Sequence, residues 1–190
     1  MTKSRVEAFS DGVIAILITI MVLEFRPPAE PTVSALWAMR FTFLFYVLSF
    51  VYLGIYWNNH HHLLHATTRI SGAVLWPNLH LLFWLSLVPF VTAWMGDHYF
   101  AALPTAVYGV VMLMAAVAWT ILQAAIIRHD VPHSKLKVAV GSDLKGKISA
   151  GLYVSSIPLA FVHPLIADAI FVAVALIWLV PDRRIESHIT

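Results

Sequence analysis

The chain has 190 residues, of which 60% are apolar and only 12% charged, with a mean hydropathy of +0.81. A soluble domain is nearer half apolar and a quarter charged, so the composition excludes a soluble enzyme and indicates an all-α polytopic membrane protein. A formal net charge of +2 offers no basic face to nucleic acid, and the lack of cysteine removes disulfide and thiol chemistry.

The first apolar run, residues 6–26, follows a charged head of Arg5, Glu7, Ser10 and Asp11 and stops at Arg26-Pro27-Pro28. It lacks a small-residue cleavage site, so this helix is expected to remain in the mature protein. Further spans are expected at 34–58, at 75–96 (opening near Trp76-Pro77-Asn78) and at 101–128. Two shorter ones, 146–162 and 165–181, are divided by His163-Pro164. A spanning helix takes about 20 residues, so six occupy about 120 of the 190 and leave no room for a second domain. Pro89 and Pro158 are expected to kink their helices.

Basic residues set the orientation. With a cytoplasmic N-terminus, Lys3, Arg5, Arg69, Arg128, Lys135, Lys137, Lys145, Lys147, Arg183 and Arg184 lie inside, and only Arg26 and Arg40 lie outside. This positive-inside asymmetry predicts two cytoplasmic termini and an even number of spans. The polar stretch 129–145 reads as a basic connector beside anionic lipid. Trp37, Trp57, Trp76, Trp94 and Trp178 fall near span ends, as interfacial tryptophans do.

On the first helix, at 100° per residue, Ile16, Thr19, Ile20 and Leu23 share one face, with Gly12 one turn below. Asp11 lies about 140° around from Ile16 and points toward neighbouring helices. The stripe fits either ordinary packing or the wall of an apolar pore. A charge at the mouth of such a helix is costly unless paired or functional.

The run Arg5-Val6-Glu7-Ala8-Phe9-Ser10-Asp11, followed by Ile16, Thr19, Leu23 and Pro27, reads R-x-x-x-F-S-D. With Tyr56-Trp57-Asn58-Asn59-His60-His61, Asn78 before Leu-Leu-Phe-Trp-Leu, and Pro89-Phe90-Val91-Thr92, it resembles the transmembrane protein 175 family, the potassium channels of endosomes and lysosomes and their bacterial relatives. One six-helix set is the bacterial arrangement. The resemblance implies a homotetramer in the cell membrane, with first helices around the pore. Ile16 would form the narrow hydrophobic ring, with Thr19 and Leu23 as outer layers and Gly12 and Ile20 as neighbours on the pore face. It also implies that Arg5, Ser10 and Asp11 hold that helix against Trp57, His60, His61 and Asn78. The chain has no T-V-G-Y-G, so a carbonyl filter is absent and modest selection of potassium over sodium would rest on dehydration at the apolar ring.

The expected partners are therefore copies of the chain, membrane lipid and permeant monovalent cations, with no nucleic acid and no cofactor beyond K+ as the permeating ion. His61 and His65 stand at i,i+4, a spacing that suits a transition metal. No carboxylate or cysteine lies beside them in sequence, so a structural role is expected and no metal ligand set is assigned. His80 is expected to bond between helices. Glu24 is read either as a cation attractor or as a snorkelling carboxylate. Asp168 is read as a cap or a paired group. The rival to a channel is a secondary transporter or metal-ion carrier using the His-rich end of the second helix, although neither internal repeats nor paired broken helices are visible. No catalytic Ser/His/Asp frame or phosphate loop appears, so no enzyme is expected.

Overall fold

The computed structural model describes residues 2–67, 71–129 and 143–179, and these are helical almost throughout, with no strand among them. Helix α1 (Lys3–Ile20) runs straight into one 3₁₀ turn, Met21–Glu24. A short α2 (Val33–Ala38) is capped by Thr32, whose Oγ1 accepts from Ala35 N at 3.2 Å. Then come α3 (Arg40–Ala66), α4 (Gly72–Ser86), α5 (Val88–Asp97) and α6 (Ala102–His129). Last are α7 (Leu144–Val162), capped by the Asp143 side chain, and α8 (Pro164–Leu179). Arg69, Lys135, Lys137, Arg183, Arg184 and most of the polar stretch 129–145 lie outside the described residues.

Two boundaries differ from the sequence reading for local reasons. The segment read as a second span from Ser34 is broken at Met39. Its first part is α2, and the long apolar helix begins at Arg40, which lies over the Phe41 ring at 4.4 Å. The third segment is one 26-residue apolar stretch, Gly72–Asp97, bent at Leu87. Pro89 has no N–H to return to the Leu85 carbonyl, and the chain re-forms there with Leu87 N bonding Trp84 O at 3.2 Å. Among the described residues, four stretches are long and apolar enough to cross a membrane: Lys3–Glu24, Arg40–Ala66, Gly72–Asp97 and Ala102–Arg128. Helix α7 starts with Lys145 and Lys147. Helix α8 has 16 residues, about 24 Å, against about 30 Å of hydrocarbon.

Helix α6 is the spine. It packs on α4, α5, α7 and α8, while α3 reaches α5 and α8. Small residues let these backbones approach: Ala106, Ala115, Ala118, Ala160, Ala167 and Ala175 are all buried. Helix α1 stands on the other side and packs on α3, α4 and α5. It contributes Val6, Ser10, Ile14, Leu17 and Met21 to the core, a stripe at three- and four-residue steps.

Candidate ion-conduction site

The opposite face of α1 meets no other element among the described residues. Gly12, Ile16, Thr19, Ile20 and Leu23 are all exposed, Ile16 at 58% and Leu23 at 78%. A Cβ placed on Gly12 would meet no side chain or other element among the described residues within 4 Å. Thr19 Oγ1 donates back to its own helix, to Ile16 O at 2.9 Å and Ala15 O at 3.1 Å, which leaves its oxygen free to accept from outside. Other helices also expose apolar side chains, as lipid-facing helices must. Those faces carry bulk: Phe43, Leu44 and Phe50 on α3, Phe83 on α4 and Phe90 on α5. The α1 face carries a glycine and a hydroxyl on one stripe; elsewhere these occur singly on exposed faces, as at Gly151 on α7, Thr120 on α6 and Ser86 on α4.

The 3₁₀ turn shifts the top of this face. In a 3₁₀ helix residues i and i+3 eclipse, so Leu23 stands directly over Ile20, and Glu24 stands over Met21 on the packed side. Glu24 therefore points about 140° from the Ile16 direction.

Behind α1 the residues expected to act as one network fall into two groups. In the first, Asn78 Nδ2 donates to Ser10 Oγ at 2.9 Å, and Asn78 Oδ1 accepts from His60 Nε2 at 2.8 Å. Because the Asn78 amide nitrogen is committed to Ser10, its oxygen faces the imidazole, so His60 carries its proton on Nε2. All three are fully or almost fully buried, and they join α1, α3 and α4 through one amide. His60 Nδ1 is left without a partner among the described residues.

The second group lies beside the first and reaches one turn nearer the N-terminus through Glu7. Glu7 Oε1 stands 3.3 Å from His61 Nδ1, and the His61 ring stacks on Trp57 at 6.2 Å and on His65 at 6.0 Å. Asp11 belongs here rather than with Ser10: Glu7, Asp11 and His61 bring one oxygen or nitrogen each within 4.8 Å of one another. Asp11 Oδ1 is buried and has no hydrogen-bond partner among the described residues. Arg5 is exposed and makes no ion pair among them. Lys3 instead donates to the His65 and Thr67 carbonyls, both at 2.9 Å. Glu7 is the residue that motif reasoning passed over. Its signal was its position one turn before Asp11, on the same side of α1.

Two smaller readings change. His80 bonds within its own helix, accepting from Trp84 Nε1 at 2.9 Å, because the two stand at i,i+4. Asp168 is buried among the apolar residues of α8, and neither carboxylate oxygen finds a partner among the described residues, so it neither caps nor pairs there. Several core hydroxyls are paired: Thr92 donates to Ser49 at 2.7 Å, Ser49 and Tyr108 share a bond of 3.0 Å, and Tyr52 donates to the Phe171 carbonyl.

Residues 5–89, which hold both polar groups, match the profile of the family described as "Endosomal/lysosomal potassium channel TMEM175". A protein named a potassium channel from Chryseobacterium sp. (strain P1-3) is 51% identical over 189 residues, covering all of this chain and 98% of that protein. Another, from Streptomyces collinus, is 33% identical over 185 residues, 87% of this chain and 89% of the relative. The fold is similar to the crystal structure of a lysosomal potassium-selective channel TMEM175 homologue from Chamaesiphon minutus. The TM-score is 0.80 at 28% identity, over 93% of this chain and 96% of that one.

Proposed function

From the premise that this chain belongs to the TMEM175 family of potassium channels, we propose that it conducts K+ through a pore lined by α1 at the axis of a homotetramer. The observation that carries this reading is the uncovered face of α1, backed by a buried face that is firmly held. Six spans with both termini in the cytoplasm complete the proposal, with α7 and α8 as the last two and the cell membrane as the site.

In a tetramer the four Ile16 side chains close a neck narrower than a hydrated ion. An ion passing there sheds water against methyl groups that give nothing back, and such a neck also dewets and stops flow. Potassium releases its water more easily than the smaller sodium, so the ring disfavours sodium. Thr19 follows about 4.5 Å further along the helix and offers oxygens that replace part of the lost hydration. Leu23, eclipsed on Ile20, forms the outermost apolar layer. Selection is modest because one hydroxyl layer replaces a full carbonyl cage. The Ser10–Asn78–His60 chain fixes the rotation of α1 and thereby decides which side chains meet the axis. Arg5, exposed and without an ion pair among the described residues, is placed to meet a neighbouring copy.

Purified protein in planar bilayers under opposed potassium and sodium gradients tests this. Unitary currents reversing toward the potassium potential are expected. Ile16→Asn holds water in the neck, so conductance rises and sodium permeability approaches that of potassium. Val13→Asn does less, because Val13 is turned about 60° from Ile16 and packs partly against the core. If oligomeric Ile16→Asn channels keep wild-type conductance and selectivity, the constriction belongs at Thr19, Ile20 or Leu23. Saturating, gradient-driven flux without unitary currents would assign a carrier using the His-rich end of α3 instead.

A further inference from the structure

We propose that Glu7, Asp11 and His61 bind one transition-metal dication of the zinc class, tying the N-terminal end of α1 to α3. The donor set comes from two helices and offers one imidazole nitrogen and two carboxylates, all within 4.8 Å of one another. Two ligand atoms bound to a tetrahedral zinc at about 2.0–2.1 Å stand about 3.3–3.4 Å apart. Glu7 Oε1 and His61 Nδ1 are already 3.3 Å apart. Asp11 completes the set by a small side-chain rotation, and water fills the remaining position.

Three further observations point to a cation here. Glu7 and Asp11 are like charges one turn apart on one helix, an arrangement that is destabilising when nothing offsets it. Among the described residues no lysine or arginine pairs with them: Lys3 is committed to the His65 and Thr67 carbonyls, and Arg5 makes no ion pair. Asp11 Oδ1 is withdrawn from solvent with no hydrogen-bond partner among the described residues, a costly state for a carboxylate oxygen and the ordinary one for a ligand awaiting its ion. The imidazole is also held ready, since His61 stacks between Trp57 and His65 with interplanar angles of 26° and 19°. The Glu7 and His61 side chains are 23% and 44% exposed, which leaves an entry path.

The mixed set selects the class. An imidazole adds little for calcium or magnesium, which take oxygen ligands, whereas zinc and its neighbours accept nitrogen and carboxylate together. The site does not depend on the conduction pathway proposed above, because binding is read on purified protein without current.

The test is an equilibrium titration of chelator-stripped, full-length protein in detergent with Zn2+, against a competing chelator dye, with thermal unfolding followed in parallel. One Zn2+ per chain is expected, with a rise in melting temperature at saturating metal. Glu7→Gln and His61→Gln should each weaken binding by at least about tenfold, since even losing an outer partner of a ligand costs that much. Each should gain less stability than wild type from the same Zn2+ concentration. Glu7→Gln keeps its shape on a partly exposed surface, so it tests the site even where Asp11→Asn fails to assemble. His65→Ala should leave the affinity within about twofold, because His65 stacks on His61 without donating a ligand atom to the set. Absence of stoichiometric Zn2+ overturns the proposal. So does binding lost in His65→Ala but kept in Glu7→Gln, which would mark a His61–His65 pair. Equal competition by Ca2+, with no effect of His61→Gln, would leave a carboxylate contact only and also overturns it.

Discussion

The two sides of this molecule bury their helices by different means. On the α6 side, α7 and α8 are drawn in by alanines and by aromatic rings, with Tyr108 and Tyr153 set 5.0 and 6.4 Å from Phe171. On the α1 side one helix is fixed by an amide bridging a serine and a histidine, and its other face is left bare. Packing of the first kind resists volume change and tolerates much chemistry. Attachment of the second kind depends on single atoms and sets an azimuth. The family profile covers residues 5–89 only, the side where the azimuth matters.

The sharpest way to break the contrast is Asn78→Ala. It strands Ser10 and His60 together, at about 1–3 kcal/mol for each buried group left unpaired. A large drop in melting temperature is expected, with loss of oligomer on size exclusion. Ser10→Ala strands the Asn78 amide alone and should cost less. Equal effects of the two variants would show that the chain of bonds through Asn78 carries no shared load.

Gly109→Val probes the other side by volume. A Cβ at Gly109 would already stand 3.0 Å from Ser156 Oγ, 3.3 Å from Ile157 Cγ1 and 3.4 Å from Phe171 Cζ. Overfilling such a seam costs about 1–3 kcal/mol. The melting temperature should fall while the conductance of channels that remain assembled stays at wild type. A changed conductance would mean that the α6–α7 seam and the α1 face are mechanically joined.

Much of the α1 side was legible because helical periodicity is a local property. The 100° step separates Ile16 and Thr19 from Ser10 and Ile14 without knowledge of any partner. Pro89 likewise announced the bend at Leu87, through a hydrogen bond that proline is unable to make. The 3₁₀ turn at Met21–Glu24 gave no such notice, since four apolar or acidic residues serve either helix type, and it alone turns Glu24 away from the proposed axis. The membership of the second polar group was hidden for another reason. Glu7 and His61 are 54 positions apart in the chain, and the absence of carboxylates near His61 in sequence said nothing about which helix packs beside it. Asp168 shows the limit from the other side: its burial follows from its place on an apolar helix, but no neighbour among the described residues accounts for it.

The smallest stability effect is expected at Gly12, and there the two sides of α1 are separated most cleanly. A methyl group added at Gly12 meets no side chain or other element among the described residues within 4 Å. Glycine in a helix interior is worse than alanine by about 0.5–1 kcal/mol, through the backbone freedom it gives up. Judged on the chain alone, Gly12→Ala is neutral or slightly stabilising, and the melting temperature should hold or rise. Around the proposed axis the same change adds four methyl groups about 6 Å before the Ile16 ring, one turn along the helix. They lengthen the apolar neck and remove the place where an ion's water has most room, so single-channel conductance should fall. Stability and conductance thus move in opposite directions only if Gly12 faces a shared pathway. A variant that is as stable as wild type and conducts equally well would place Gly12 toward lipid, and the pathway would then begin at Ile16 or be lined by another helix.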